Sequence, residues 1–261
     1  MKFTMYKNIS LFTFGTLALC LTTPVLADDR GEVRQRLEPK GFLYGFGLGV
    51  KQELYKGYDR RVIPLPILGY RGDRLSVLGP FVSYDVLNQD GIKLSAQASP
   101  RFQGFDSSDS DVFIGMDERD FSFDAGLGVK YERNDWNVGL SSMFDVLNKS
   151  NGYELKASLG RAFKSGPIFY EPTISVSYLD ANHVNYYYGV RDYEATTLRP
   201  AYKADSALNT TIGFSVATPI FFDGFTRLSV DYTLSDSSIT DSPLVDTDNS
   251  LSLRLLFSRF F

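Results

Sequence analysis

Soft-ligand and redox chemistry have almost no material to work with in this sequence. Its 261 residues hold one cysteine, one histidine and one tryptophan. The cysteine, Cys20, falls in the leading segment, so once that segment is removed neither a disulfide nor thiol chemistry remains. Long hydrophobic runs are scarce too. After the run from Ile9 to Leu21, no stretch approaches the length a membrane-crossing helix needs. Twenty-seven Lys and Arg against 31 Asp and Glu give a net charge of −4, and nothing in the chain points to a nucleic-acid partner. No catalytic, cofactor-binding or metal-binding set of residues is expected.

Aromatic residues are what the chain does have. Phe, Tyr and Trp make up 15% of it, with 21 Phe and 16 Tyr. Such a load suits the girdles of a membrane barrel at its two interfaces. A mean hydropathy of −0.14 does not oppose this, since inward polar residues dilute the outward apolar ones.

Residues 1–27 read as a cleaved signal peptide. Lys2 and Lys7 precede the apolar run, and Val25 and Ala27 supply the small residues before a cut at Asp28. Removing the two lysines takes the net charge from −4 to −6. Leu17-Ala18-Leu19-Cys20 faintly resembles a lipoprotein signal, but Leu19 stands where a small residue belongs. Residues 28–40 are charged and read as a short periplasmic lead-in. The remainder, 41–261, reads as one outer-membrane β-barrel without internal repeats.

Period-two alternation carries that reading. Phe42, Tyr44, Phe46, Leu48 and Val50 alternate with a lane of Gly45, Gly47, Gly49 and Lys51. Phe121 to Tyr131 alternates with Ser122 to Glu132, and the final segment places Leu251, Leu253, Leu255 and Phe257 on one face before ending on Phe261. A terminal aromatic on a strand resembles the assembly signal of outer-membrane barrels, read by the barrel-assembly machinery; Arg259 departs from that pattern. A soluble sandwich or lipocalin-like barrel would show the same alternation. Strand length separates the two: most runs have about 10 residues, the span of a tilted membrane strand, against about 5–6 in soluble sheets. Connections also alternate, with short turns at Asn134-Asp135, Lys164 to Pro167 and Asp223-Gly224, and long polar loops near 105–120, 181–205 and 236–249.

Eleven runs are easily seen. An odd count would leave the two ends of the chain on opposite sides of the membrane, whereas splitting Arg74 to Leu87 at Gly79-Pro80 gives twelve. The expected fold is therefore all-β, a closed antiparallel transmembrane barrel of about twelve strands. Ten is the alternative if the Pro64–Pro80 region leaves the ladder. Pro64 and Pro66 predict a bulge or an irregular rim.

Three stretches resemble a known family: Tyr58 to Pro66 with Tyr70 to Arg74, Asn185 to Val190 with Glu194-Ala195, and Arg199 to Tyr202. Together they make the chain similar to the MipA/OmpV family of outer-membrane proteins. The resemblance implies a non-enzymatic scaffold linking a murein lytic transglycosylase (a murein hydrolase) with a penicillin-binding protein (a murein synthase) in peptidoglycan assembly. A small passive channel, motivated by the charged, glycine-rich inner face, is the alternative; a surface adhesin, motivated by the long loops, is another. Outer-membrane lipids are the remaining expected partner.

A few residues could carry chemistry. His183 lies beyond Glu171, Ser175 and Ser177 and could serve a lipid hydrolase, but reads better as a rim histidine beside tyrosines. The acidic loops Asp106–Asp111 and Asp236–Asp248 lack the glycine and closing glutamate of a calcium loop. Tyr186 to Tyr188 could stack on a sugar or partner, fold over the mouth, or join a girdle. Lys51, Lys93, Lys130, Arg227 and Arg254, facing Asp124, Glu132, Glu154, Glu171 and Asp231, could line a water path or pair across a filled interior.

Overall fold

The computed structural model describes residues 40–221 and 224–261. The expected signal peptide, all of the lead-in except Lys40, and Asp223 lie outside these.

Twelve strands follow one another around a closed sheet. They are β1 (Gly41–Gln52), β2 (Arg60–Arg71), β3 (Leu75–Leu78), β4 (Phe81–Gln89), β5 (Ile92–Arg101), β6 (Ser122–Arg133), β7 (Trp136–Asp145), β8 (Tyr153–Arg161, resuming as Phe163–Ser165), β9 (Ile168–Leu179), β10 (Ala207–Thr218), β11 (Phe225–Leu234) and β12 (Asn249–Phe260). Each pairs antiparallel with the next, and β12 returns to β1 from Leu43↔Phe260 to Lys51↔Ser252. Closure pairs the first strand with the last, so neither end of the sheet is left as a free edge. The two parts of β8 keep one register on β9, Thr173↔Gly160 and Tyr170↔Phe163. They are separated only where Pro172, which has no N–H to give, leaves the ladder open.

Faces follow the period of two. Phe42 is 65% exposed while its neighbour Leu43 is 3% exposed, and Phe46, Leu48, Leu127, Ile212 and Leu253 also look outward. This apolar exterior is the surface a barrel offers to hydrocarbon, and it answers the soluble alternative. Rings mark the short-turn end: Tyr44 and Phe261 lie 5.1 Å apart, and the Arg161 guanidinium sits 5.3 Å from the ring centres of both Trp136 and Phe163. Arg259 faces out at this level, opposite Tyr44.

Gly79-Pro80 does split the third run, so the count is twelve. Short turns at 72–74, 90–91, 134–135 and 166–167, and the facing ends of β10 and β11, share one end with both ends of the sheet-forming chain. Asn134 and Asp135 have φ of 50° and 68°, the left-handed pair that a two-residue hairpin needs. Segments 53–59, 102–121, 146–152, 180–206 and 235–248 lie at the other end. The bulge expected from Pro64 and Pro66 is absent from β2, which pairs with β1 without slipping from Gly41↔Arg71 to Gln52↔Arg60. The register shift falls instead in β4, between Asp85 and Leu87.

Candidate functional site: a packed cap over the barrel mouth

Four of the long connections fold inward and pack on one another. Their core includes Tyr55 (from 53–59), Phe105 and Phe113 (from 102–121), Tyr187 and Tyr188 (from 180–206) and Leu244 (from 235–248), all buried. The Tyr55 ring lies 5.3 Å from each of Phe105, Phe113 and Tyr188, and its hydroxyl donates to the Tyr187 carbonyl at 3.0 Å. Burial holds the phenol pKa of Tyr55 well above its ordinary value, and the neighbouring Tyr188 and Glu53 push the same way. Phe105 and Phe113 stack at 3.8 Å.

Polar groups join these loops. Arg119 Nη2 donates to both oxygens of Glu194, at 2.9 and 2.8 Å, and both side chains are sealed from solvent. The remaining Arg119 donors reach the carbonyls of Tyr186 and Asp117. Burial opposes ionisation of Glu194. The Arg119 bond and the Arg191 and Asp117 amides outweigh it and hold the carboxyl below its usual range. Arg199 ties the Glu194 carbonyl (2.6 Å) to that of Ile114 (3.2 Å). Ser242 Oγ donates to the Tyr188 carbonyl at 2.6 Å, and Lys56 N to the Leu244 carbonyl at 2.8 Å.

The central element is a helix, α1 (Ala181–Tyr188). Asp180 caps it, accepting from the amides of Asn182 and His183 and also from Tyr153 N on β8. The helix ends at Gly189. A second short helix, α2 (Ser237–Thr240), is capped by Asp236, so part of the acidic 236–248 loop serves as helix capping. Asp106 likewise binds Ser108 within its own turn. Among the described residues no group of three or more His, Cys, Asp or Glu is arranged to hold a metal.

The structure relocates His183. It is not at the rim but in α1, 2% exposed, with its ring 5.0 Å from that of Tyr187. Burial disfavours its imidazolium, and Arg101 and Lys51 add to the effect, so its pKa is held well below the ordinary 6.5; Asp145 opposes in part. Its Nε2 has no hydrogen-bond partner among the described residues, so no Ser–His pair forms with Ser175 or Ser177. Glu171 instead accepts from Asn137 Nδ2 at 2.5 Å. Of the three readings of Tyr186–Tyr188, the cap is the one observed: the Tyr186 hydroxyl accepts from Asp120 N and the Tyr188 hydroxyl from Gln103 Nε2.

Beneath the cap the lumen charges are largely paired. Lys51 and Arg61 share Glu53, Lys93 meets Asp85 at 2.8 Å, Lys130 meets Glu132 at 2.6 Å, and Arg254 meets Asp231 at 2.5 Å. Arg101 bridges Asp124 (2.7 Å) and Glu154 (2.9 Å). Arg227 lies against the Phe225 ring.

The family model for "MltA-interacting protein MipA" matches residues 44–261, nearly the whole barrel and cap. The chain belongs to the MipA family. Curated relatives agree. Outer membrane protein Omp26La of Vibrio anguillarum is 28% identical over 76% of this chain and 77% of its own. The putative outer membrane protein YiaT of Escherichia coli K12 is 28% identical over 80% and 86%. The MltA-interacting protein of the same strain is 28% identical over 78% and 84%. Family membership and the lipid-facing barrel together place this MipA-family chain in the outer membrane.

Proposed function

We propose that this MipA-family barrel is a non-enzymatic scaffold at the inner face of the outer membrane. In this reading it holds a murein lytic transglycosylase beside a murein synthase of the penicillin-binding class. The observation that carries it is the cap. Four loops packed around Tyr55 and locked by Arg119–Glu194 leave the mouth filled, the arrangement of a barrel that anchors and not of one that conducts. The name of its Escherichia coli relative, MltA-interacting protein, supports the choice of partner. The short turns and the chain ends would form the docking side.

Pull-down of the detergent-folded protein against a purified lytic transglycosylase of the MltA type tests the proposal. Co-purification is expected, and recovery of the barrel alone overturns it. Planar-bilayer recording tests the channel alternative. Silence at neutral pH accords with the scaffold, while stable conductance steps favour a pore.

A further inference from the structure

Among the described residues the barrel wall is incomplete beside the upper half of β2. The hairpin β3–β4 that follows β2 is short: its tip, Gly79-Pro80, rises only to the level of Leu68, whose carbonyl accepts from Gly79 N at 3.1 Å. Even-numbered residues of β2 turn their backbone groups toward this side, as the Gly72 N to Leu75 carbonyl bond also shows. Above Leu68, among the described residues, this edge of β2 pairs with no strand. On the other side the hairpin reaches almost to the end of β5, since Val82 pairs with Ala98 and β5 stops at Arg101, so the open stretch of β2 lies beside the segment that follows β5 and not beside a strand. The opening is bounded above where Arg61 Nη2 donates to the Gly104 carbonyl.

Sequence and gap correspond. Four prolines lie within strands; Pro64 and Pro66 on β2 border this opening, and Pro100 on β5 stands at its lower corner, two residues beyond the Val82↔Ala98 pair and so beside the hairpin tip. Gly91 O accepts from Glu132 N, so odd residues of β5 turn toward β6 and Pro100 turns toward the gap. An unpaired N–H in hydrocarbon costs several kcal/mol in general, and proline has none to leave unpaired. Proline also blocks sealing of the edge by another strand.

The opening lies at hydrocarbon depth, because Val62 and Leu68 on its border face outward opposite Val50 and Tyr44. Inside, the wall beside it is apolar. Ile63, Leu65 and Ile67 lie over the glycine lane of β1: a Cβ on Gly47 would meet Leu65 Cβ at 3.4 Å, and one on Gly49 would meet Ile63 Cβ at 3.7 Å. The far wall carries Arg101, Asp124 and Glu154 instead.

We propose that this gap is a lateral port, and that the Ile63–Leu65–Ile67 row inside it receives an acyl chain of the surrounding lipid beneath the closed cap. A break in the wall at this depth must be filled, and its outer border, where Val62 and Leu68 are exposed, faces the lipid side. The chemistry on its inner side is apolar in an otherwise polar lumen. The inference is independent of the scaffold reading, since a barrel without a murein partner would keep the port.

Contact quenching tests it. Trp136 is replaced by Phe, and a single reporter, Leu65→Trp or Ile63→Trp, is introduced. Each variant is reconstituted in phosphatidylcholine with dibrominated acyl chains. Leu68→Trp, facing outward, is the quenched reference, and Ser175→Trp, in the lumen on β9, is the shielded one. Folding of each is checked by heat-modifiable mobility, and two reporters guard against one failing to fold. The lumen reporters are expected to lose most of their emission, nearly as much as Leu68→Trp. Emission retained as in Ser175→Trp, or equal quenching of Ser175→Trp, overturns the port.

Discussion

Arg119 and Glu194 stand 75 residues apart in sequence and meet in the cap, one guanidinium nitrogen serving both carboxylate oxygens where solvent does not reach. Removing one member of such a pair costs about 3–5 kcal/mol, because the other charge is left buried alone. Glu194→Ala should therefore loosen the cap while leaving the barrel intact. Hydrogen exchange should rise in 102–121 and 180–206 and stay unchanged in the strands, and the heat-modifiable shift should persist. The double change Arg119→Met with Glu194→Leu should restore much of the protection, since the pair would be replaced by apolar contact.

Acid should loosen the same cap in two stages. The pKa of His183 is depressed in the folded protein, so the unfolded cap binds the proton more readily. Stability from this group is fully present above its ordinary value of 6.5 and is lost as pH falls below it. Glu194 is also depressed, and its contribution begins to fall away below the ordinary 4.5. Protection factors in the cap, which divide out the slowing of intrinsic exchange by acid, should fall from pH 7.5 to 5.5 and again toward pH 4. His183→Gln should flatten the first fall and leave the second.

Proline position on β2 should matter more than proline number. Pro64→Thr and Pro66→Thr put back donors that no strand accepts at hydrocarbon depth, so each should lower the unfolding midpoint, yet the barrel should still fold because the ladder with β1 is untouched. Ile63→Pro or Leu65→Pro removes a donor from the intact ladder with β1 and should abolish heat-modifiable folding. Equal tolerance of all four would show that the edge assignment is wrong.

The barrel was legible because its signal is local and repeated. Phe42 to Val50 and Phe121 to Tyr131 alternate without interruption, and the requirement for an even strand number located the break at Gly79-Pro80. Pro64 and Pro66 could be read as lost ladder bonds, but not to which neighbour, since that depends on how far β3 rises. The cap was not legible. Tyr55, Phe105, Phe113 and Leu244 are single apolar residues in four separate polar loops, and α1 is too short to show a helical period. Asp180 before it and Gly189 after it were the available signs of a capped helix. Nothing local in the sequence marks Arg119 and Glu194 as partners.

Gly152 lies against the start of the cap helix. A Cβ there would lie 2.6 Å from Asp180 Oδ1 and 2.6 Å from His183 N, the two ends of the capping bond that starts α1. Asp180 also holds Tyr153 N at the top of β8, so it cannot retreat without releasing the strand end. Gly152→Val should therefore displace the start of α1 and open the Tyr187–Tyr188 face of the cap, with the loss of a cap worth about 1 kcal/mol as its minimum cost. The barrel, whose β7–β8 ladder begins beyond this residue at Phe144↔Tyr153, should still assemble. Proteolysis separates the outcomes: cleavage within 180–206 with an intact heat-modifiable core is expected, whereas a protease-resistant cap in Gly152→Val would mean that α1 docks without this contact.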